Sequence, residues 1–229
     1  MDERIPTYVK GLDKNMEGGI PKGSLVLLCG KPGSMKSSVA YNILYQNAKQ
    51  NQKKSVYISL EQGRDSLLEH MGRLKMPNQD VENLLTVVDL GYLRQNSENL
   101  DYGSGWMSVF RMYAENLKDT SNYDILVIDS LAAMEVLADV RNRRADLFHI
   151  FGWLKELGAT TFVISEAVPQ EETVREEDFL ADGVLHLDLR REGNGVNLYL
   201  GIAKMRMSNH ARGYSPLIFE GGEFEIVTE

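Results

Sequence analysis

Residues 24–38 read SLVLLCGKPGSMKSS, and this stretch decides the fold. It opens on an unbroken apolar run, the pattern of a strand buried on both faces, where neither face needs polar side chains. A glycine-rich turn follows at once, and VAYNILYQNAKQ beyond it reads as a helix. Strand, glycine turn and helix in that order make an anion-binding loop, because the free amides and the dipole of the helix N-terminus point into the turn.

Gly30, Lys36 and Ser37 stand where the pattern G-x-x-x-x-G-K-[ST], the Walker A loop, has its first glycine, its lysine and its hydroxyl. Gly33, Ser34 and Ser38 complete the loop. Lys36 is expected to reach the β and γ phosphates of ATP, and the Ser37 hydroxyl to bind Mg²⁺. Met35 occupies the place of the second glycine, so a side chain must fit beside the phosphate path in a conformation that glycine adopts freely. The preceding GGIPKGS supplies a turn into the strand, with Gly18 and Gly19 free to take positive φ.

Further apolar runs at 55–60, 84–89, 124–129 and 160–165 alternate with amphipathic stretches. This predicts an α/β fold, a mostly parallel central sheet flanked by helices. The clearest helix runs over 144–157, with Leu147, Ile150, Phe151, Leu154 and Leu157 on one face and Gly158 as its stop. After Ala181 the period changes: GVLHLDLR and VNLYLGIAKM flank REGNG, and LIFE and FEIV flank GGE, which predicts two C-terminal antiparallel hairpins. With 229 residues, 43% hydrophobic, and no linker, repeat or low-complexity tract, the chain is expected to form one domain over 1–229.

No apolar run approaches the roughly 18 to 20 residues that span a bilayer. MDERIPTYVK has neither an apolar targeting core nor an amphipathic Arg-rich presequence, so a soluble, cytoplasmic protein with no membrane partner is expected. The single cysteine, Cys29, lies in an apolar strand and reads as a small buried hydrophobe. A formal charge of −8 opposes binding of nucleic acid but not of a nucleotide, which a few amides and one lysine can hold.

Two carboxylates end strands. In YDILVIDS four apolar residues run into Asp129, where a Walker B carboxylate would orient Mg²⁺ or its water. In YISLEQGRD, Glu61 lies just past the second strand, at the edge where ligands gather in open α/β sheets. There it handles the water that attacks the γ phosphate, or it caps a helix beginning near Arg64, and the residues leave both open. Lys204 and Arg206, two apart on a predicted strand, share a face, either as paired cations for a transferring phosphate or as charges guarding a sheet edge.

These segments together resemble the RecA superfamily, and within it the KaiC-like ATPases, including archaeal KaiC-like proteins and RadA paralogs. The resemblance covers nearly the whole chain, from GLDKNMEGGIPKGSLVLLCG through Glu61 and Asp129 to FLADGVLHLDL and KMRMSNH, the most specific string. It implies a RecA-like P-loop domain and Glu61 as catalytic base, with Gln62 where the family often has a second glutamate. It implies that Lys204 and Arg206 reach the γ phosphate bound by a neighbouring subunit, that Ser208 and His210 approach its base and ribose, and that Arg73 lines the adenine side. Those roles require a ring, expected to be a homo-oligomer, a hexamer.

Three activities share such a fold: a slow Mg²⁺-dependent regulatory ATPase, a nucleotide sensor or scaffold with little turnover, and a RadA-paralog-like single-strand DNA-binding protein. The first is expected. DNA is disfavoured: the loop after the fourth strand holds Arg141, Arg143 and Arg144, but EAVPQEETVREED after the fifth carries Glu166, Glu171, Glu172, Glu176, Glu177 and Asp178 against Arg175, and offers no aromatic platform.

Overall fold

The computed structural model describes residues 3–91, 104–166 and 175–227. Short strands β1 (Arg4–Ile5), β2 (Val9–Lys10) and β3 (Ile20–Pro21) precede β4 (Leu25–Gly30), β5 (Ser55–Ser59), β6 (Leu85–Asp89), β7 (Ile125–Asp129) and β8 (Thr160–Glu166). The C-terminal part adds β9 (Gly183–Glu192), β10 (Gly195–Met205), β11 (Tyr214–Glu220) and β12 (Glu223–Ile226). The helices are α1 (Lys36–Asn51), α2 (Arg64–Arg73), α3 (Ser104–Ser121), α4 (Leu131–Leu137), α5 (Arg143–Glu156) and α6 (Glu176–Leu180).

Among the described residues, ten strands make one sheet in the order β2-β12-β11-β10-β9-β4-β8-β7-β5-β6. From β9 to β6 every pairing is parallel. This is the expected α/β architecture, and its strands read as continuous apolar runs because both faces are covered. Along β4, Val26 and Leu28 enter one core with α1 and α2, while Leu25, Leu27 and Cys29 enter the other with α3, α4 and α5. On α5, Leu147, Ile150, Phe151 and Leu154 are buried, and Gly158 takes the left-handed φ of 67° that ends the helix. No helix among the described residues is long and apolar enough to cross a membrane.

The two C-terminal hairpins are present, and β10 also pairs with β11, so they merge into a four-stranded antiparallel meander. Through β9 the meander joins the parallel sheet beside β4. The amino-terminal segment has a role that its sequence did not announce: β2 pairs in parallel with β12 and closes the far edge. Buried Asn47 holds it down, donating from Nδ2 to the Pro6 carbonyl at 2.8 Å.

Asp182, just before β9, ties these parts together. Its carboxylate accepts from the Leu25 amide at 3.1 Å, from Lys155 Nζ at 2.9 Å and from Arg206 Nη1 at 3.0 Å. Burial pushes its pKa up, but the Lys155 ammonium and the Leu25 amide outweigh that and hold the carboxyl below its ordinary value. A depressed folded-state pKa means stability that is present above the unfolded pKa of about 3.9 and lost as pH falls through the folded value. Replacing Asp182 by Asn should therefore cost about 2 kcal/mol at pH 7, with the gap from wild type narrowing below about pH 4, as urea denaturation across that range will measure.

Candidate active site

β4 ends at Gly30, and the chain turns through residues 31–35 into α1. Gly30 admits no side chain: a Cβ there would lie 2.4 Å from the Leu187 carbonyl and 2.5 Å from Ser34 Oγ. Gly33 has φ 83°, the left-handed conformation that glycine adopts without steric cost. Met35 has φ 61° and ψ 22°, so the missing glycine is replaced by a residue holding the same left-handed backbone. Its side chain packs against the core beneath α1, which offsets a left-handed penalty of about 1–2 kcal/mol.

No side chain caps α1, and no acidic residue lies in its first turn. Its first amides and positive dipole end are thus left for an anion. Lys36 is buried, with Nζ donating to the carbonyls of Gly30 at 2.8 Å and Lys31 at 3.0 Å. Burial lowers its pKa, and Glu166, Asp129 and Glu61 oppose that by attraction. Ser34 is buried with a hydroxyl that has no hydrogen-bond partner, and the Ser38 hydroxyl lies 3.5 Å from His70 Nε2.

The parallel register Ser59↔Asp129 places the ends of β5 and β7 side by side, next to the loop. Asp129 is 8% exposed, and burial raises its pKa against hydrogen bonds from Tyr57 and Ser37 that lower it. Glu61, exposed, accepts a 2.5 Å bond from Ser130 Oγ, so the residue after the Walker B carboxylate orients the candidate base. Gly63, not Glu61, is the residue preceding α2, and the first amide of that helix, from Arg64, donates to Asp89 Oδ2 at 3.2 Å. Gln62 turns away and donates to Ser66 Oγ at 3.0 Å.

A carboxylate and a hydroxyl in mutual contact fit Mg²⁺, a hard cation that takes oxygen ligands and leaves others to phosphates and water. Among the described residues no group of three or more His, Cys, Asp or Glu could hold a metal ion.

The other sequence-selected residues lie elsewhere. Met205 of β10 pairs with Gly183, and Gly183 pairs with Val26, so Lys204 and Arg206 lie at the amino-terminal edge of the parallel strands. The loop is at the carboxyl edge, four residues on from Val26, about 13 Å of strand. Lys204 Nζ donates to the carbonyls of Asp178 at 2.8 Å and Ala181 at 2.7 Å, and Arg206 Nη2 to that of Phe179 at 3.2 Å. Both cations thus cap the end of α6. The Ser208 hydroxyl accepts from Arg4 Nη1 at 2.5 Å. His210 lines a cavity of about 360 Å³ with Ile202, Ala203, Arg212, Gly213 and Tyr214. Arg73 is 77% exposed and pairs with Glu69 at 2.6 Å, one turn back on α2.

Tyr57 and Ser130, bonded to Asp129 and Glu61, and Asp182 at the opposite edge were not singled out from the sequence, and Arg175 was named there only as the lone cation of an acidic loop. Arg175 donates to Cys29 Sγ at 2.8 Å and to Asp178 Oδ1 at 2.8 Å, joining the end of β4 to α6. Cys29 itself is buried with its pKa pushed up to about 11 by desolvation, the inert thiol expected.

The sequence model of the family described as "ATPase: KaiC" matches residues 5–228. Circadian clock protein KaiC2 of Synechocystis sp. is 24% identical over 229 residues, covering 98% of this chain and 40% of its own length. A UPF0273 protein of Pyrobaculum aerophilum is 26% identical over 243 residues, 98% of this chain and 82% of its own. The crystal structure of a KaiC-like protein from the hyperthermophilic archaeon Pyrococcus horikoshii OT3 has a TM-score of 0.83 at 26% identity, covering 100% of both chains. The chain thus spans about two fifths of the KaiC2 relative's length.

At Met35 the two opposing effects are now visible, a left-handed backbone and a side chain docked on the core. Met35→Gly should relieve the first and lose the second, leaving unfolding free energy within about 1 kcal/mol of wild type by chemical denaturation.

Proposed function

The chain belongs to the KaiC ATPase family, and on that premise we propose that it is a cytoplasmic regulatory ATPase. It binds ATP with Mg²⁺ and hydrolyses it slowly to ADP and phosphate in sites shared between subunits of a homo-oligomeric ring, a hexamer. One observation carries this reading. Lys36, Glu61 and Asp129 converge at the uncapped start of α1, while the paired cations Lys204 and Arg206 lie at the opposite edge of the same sheet.

Entering phosphates meet the amides of residues 33–38, and Lys36 exchanges its two carbonyl partners for phosphate oxygens. Ser37 and Asp129 hold the metal, which when bound neutralises phosphate charge. Glu61, steadied by Ser130, takes the proton from water as the water oxygen attacks the γ phosphorus. The bond from phosphorus to the bridging oxygen breaks, and its electron pair leaves with ADP. Arg73 serves the base side of the same nucleotide.

Lys204 and Arg206 are too far along the sheet to serve their own chain's loop, so they act on the neighbour's γ phosphate, with Ser208 and His210 toward its base and ribose. Slow turnover follows from Glu61 working alone, because Gln62 is engaged with Ser66 and carries no charge. DNA is disfavoured as a partner. Arg143 is held by Glu135 at 2.8 Å and by buried Glu177 at 2.6 Å, and Arg141 by Asp139 at 2.7 Å, while Glu171 and Glu172 lie outside the described residues.

Glu61→Gln should lower turnover about 100-fold or more while nucleotide affinity stays near wild type, since charge is removed and shape kept. Steady-state ATPase rates with a binding titration will show it. Equal rates in the two proteins would leave the sensor or scaffold reading in its place. The shared site is tested by mixing Arg206→Ala subunits with Lys36→Ala subunits, each inactive alone. A mixed interface pairs an intact loop with an intact cationic strand, so activity should return once subunit exchange is confirmed. Continued inactivity would overturn the arrangement in trans.

A further inference from the structure

Tyr57 sits in the middle of β5, fully buried, with its ring 6.1 Å from that of Tyr41. Its neighbours in that core are apolar side chains from α1, β6 and β7, and they would accept a phenylalanine as readily. The hydroxyl is what packing does not explain. It donates to Asp129 Oδ2 at 2.5 Å across the β5–β7 pair, beside Ser37.

A buried phenol requires a partner. Here the partner is the carboxylate assigned above to Mg²⁺, at the end of β7, with the Ser37 hydroxyl assigned to the same ion close by in the first turn of α1. A carboxylate turns easily about its last torsion, and Asp129 is also exposed to repulsion from Glu61. Something must fix its plane for it to serve a metal whose geometry is demanding.

We propose that Tyr57 is a positioning residue for the metal site: its O–H anchors one oxygen of Asp129, and so orders that carboxylate before Mg²⁺ arrives. The proposal rests on the reading of Asp129 and Ser37 as metal ligands. Outer partners of this kind are worth about 10–100-fold in metal affinity, because they set ligand orientation without touching the ion.

The test is Tyr57→Phe, which removes one oxygen and keeps the ring. Binding of a fluorescent non-hydrolysable ATP analogue is titrated in EDTA and against rising Mg²⁺, and Mn²⁺ binding is followed by electron paramagnetic resonance. The Mg²⁺ needed for half-maximal tightening should rise about tenfold, and Mn²⁺ affinity fall to match, while affinity in EDTA stays unchanged. A mere packing defect would weaken both conditions together. Tyr41→Phe, which removes a neighbouring phenol not bonded to Asp129, should leave the Mg²⁺ requirement as in wild type. Should Tyr57→Phe melt below the assay temperature, Tyr57→Met is assayed instead, since it fills much of the space and offers no donor. An unmoved Mg²⁺ requirement in a folded variant overturns the proposal. Asp129→Asn runs alongside: if it loses the Mg²⁺ effect and Tyr57→Phe does not, Tyr57 alone is wrongly assigned. If neither loses it, the assignment of Asp129 falls and takes this one with it.

Discussion

The central strands are covered on both faces, and that constraint governs where chemistry can occur. β4, β5 and β7 are buried along their whole length, so a charged side chain in mid-strand would lose its hydration with nothing in return. Polar groups are therefore pushed to the strand ends. A parallel sheet puts the carboxyl ends of neighbouring strands in one row, and Gly30, Ser59, Asp129 and Glu166 stand together for that reason. One edge of the sheet thus collects, from segments far apart in sequence, residues 30–37, Asp129 and Glu61, the groups proposed to hold phosphate, metal and the attacking water.

Charge balance at that edge is local. Lys36 is buried, yet it stands among Asp129, Glu61 and Glu166 and folds its ammonium onto two carbonyls. Such an arrangement holds a cation in place while leaving it exchangeable, since neutral carbonyls bind it less strongly than phosphate oxygens do. The overall charge of −8 does not conflict with an anionic ligand, because the field that matters acts over a few ångströms of low dielectric.

At the opposite edge Asp182, Lys155 and Arg206 form a small ionic knot, and Lys204 caps α6. The cations there are held in defined orientations instead of sweeping through solvent. Asp182 is also bonded to the main chain of β4, the strand that leads into the loop at 31–35.

Patterns of apolar residues determined the fold class, strands β4 to β8 to within a residue, α5 and the C-terminal strands, but not β1, β2 or β3, because burial of both faces leaves a direct mark in composition. Gly30, Lys36, Ser37, Glu61 and Asp129 were also legible, since a helix N-terminus and strand ends make few residue types useful at those places. What the sequence could not supply is pairing across distance. The hydroxyl of Tyr57 looks like any core aromatic until β5 lies against β7, and Ser130 carries no signal until Glu61 is beside it. Tertiary structure alone set Lys204 and Arg206 at the edge away from their own loop, because which end of a sheet a side chain occupies depends on register and strand direction, and neither is written in local periodicity.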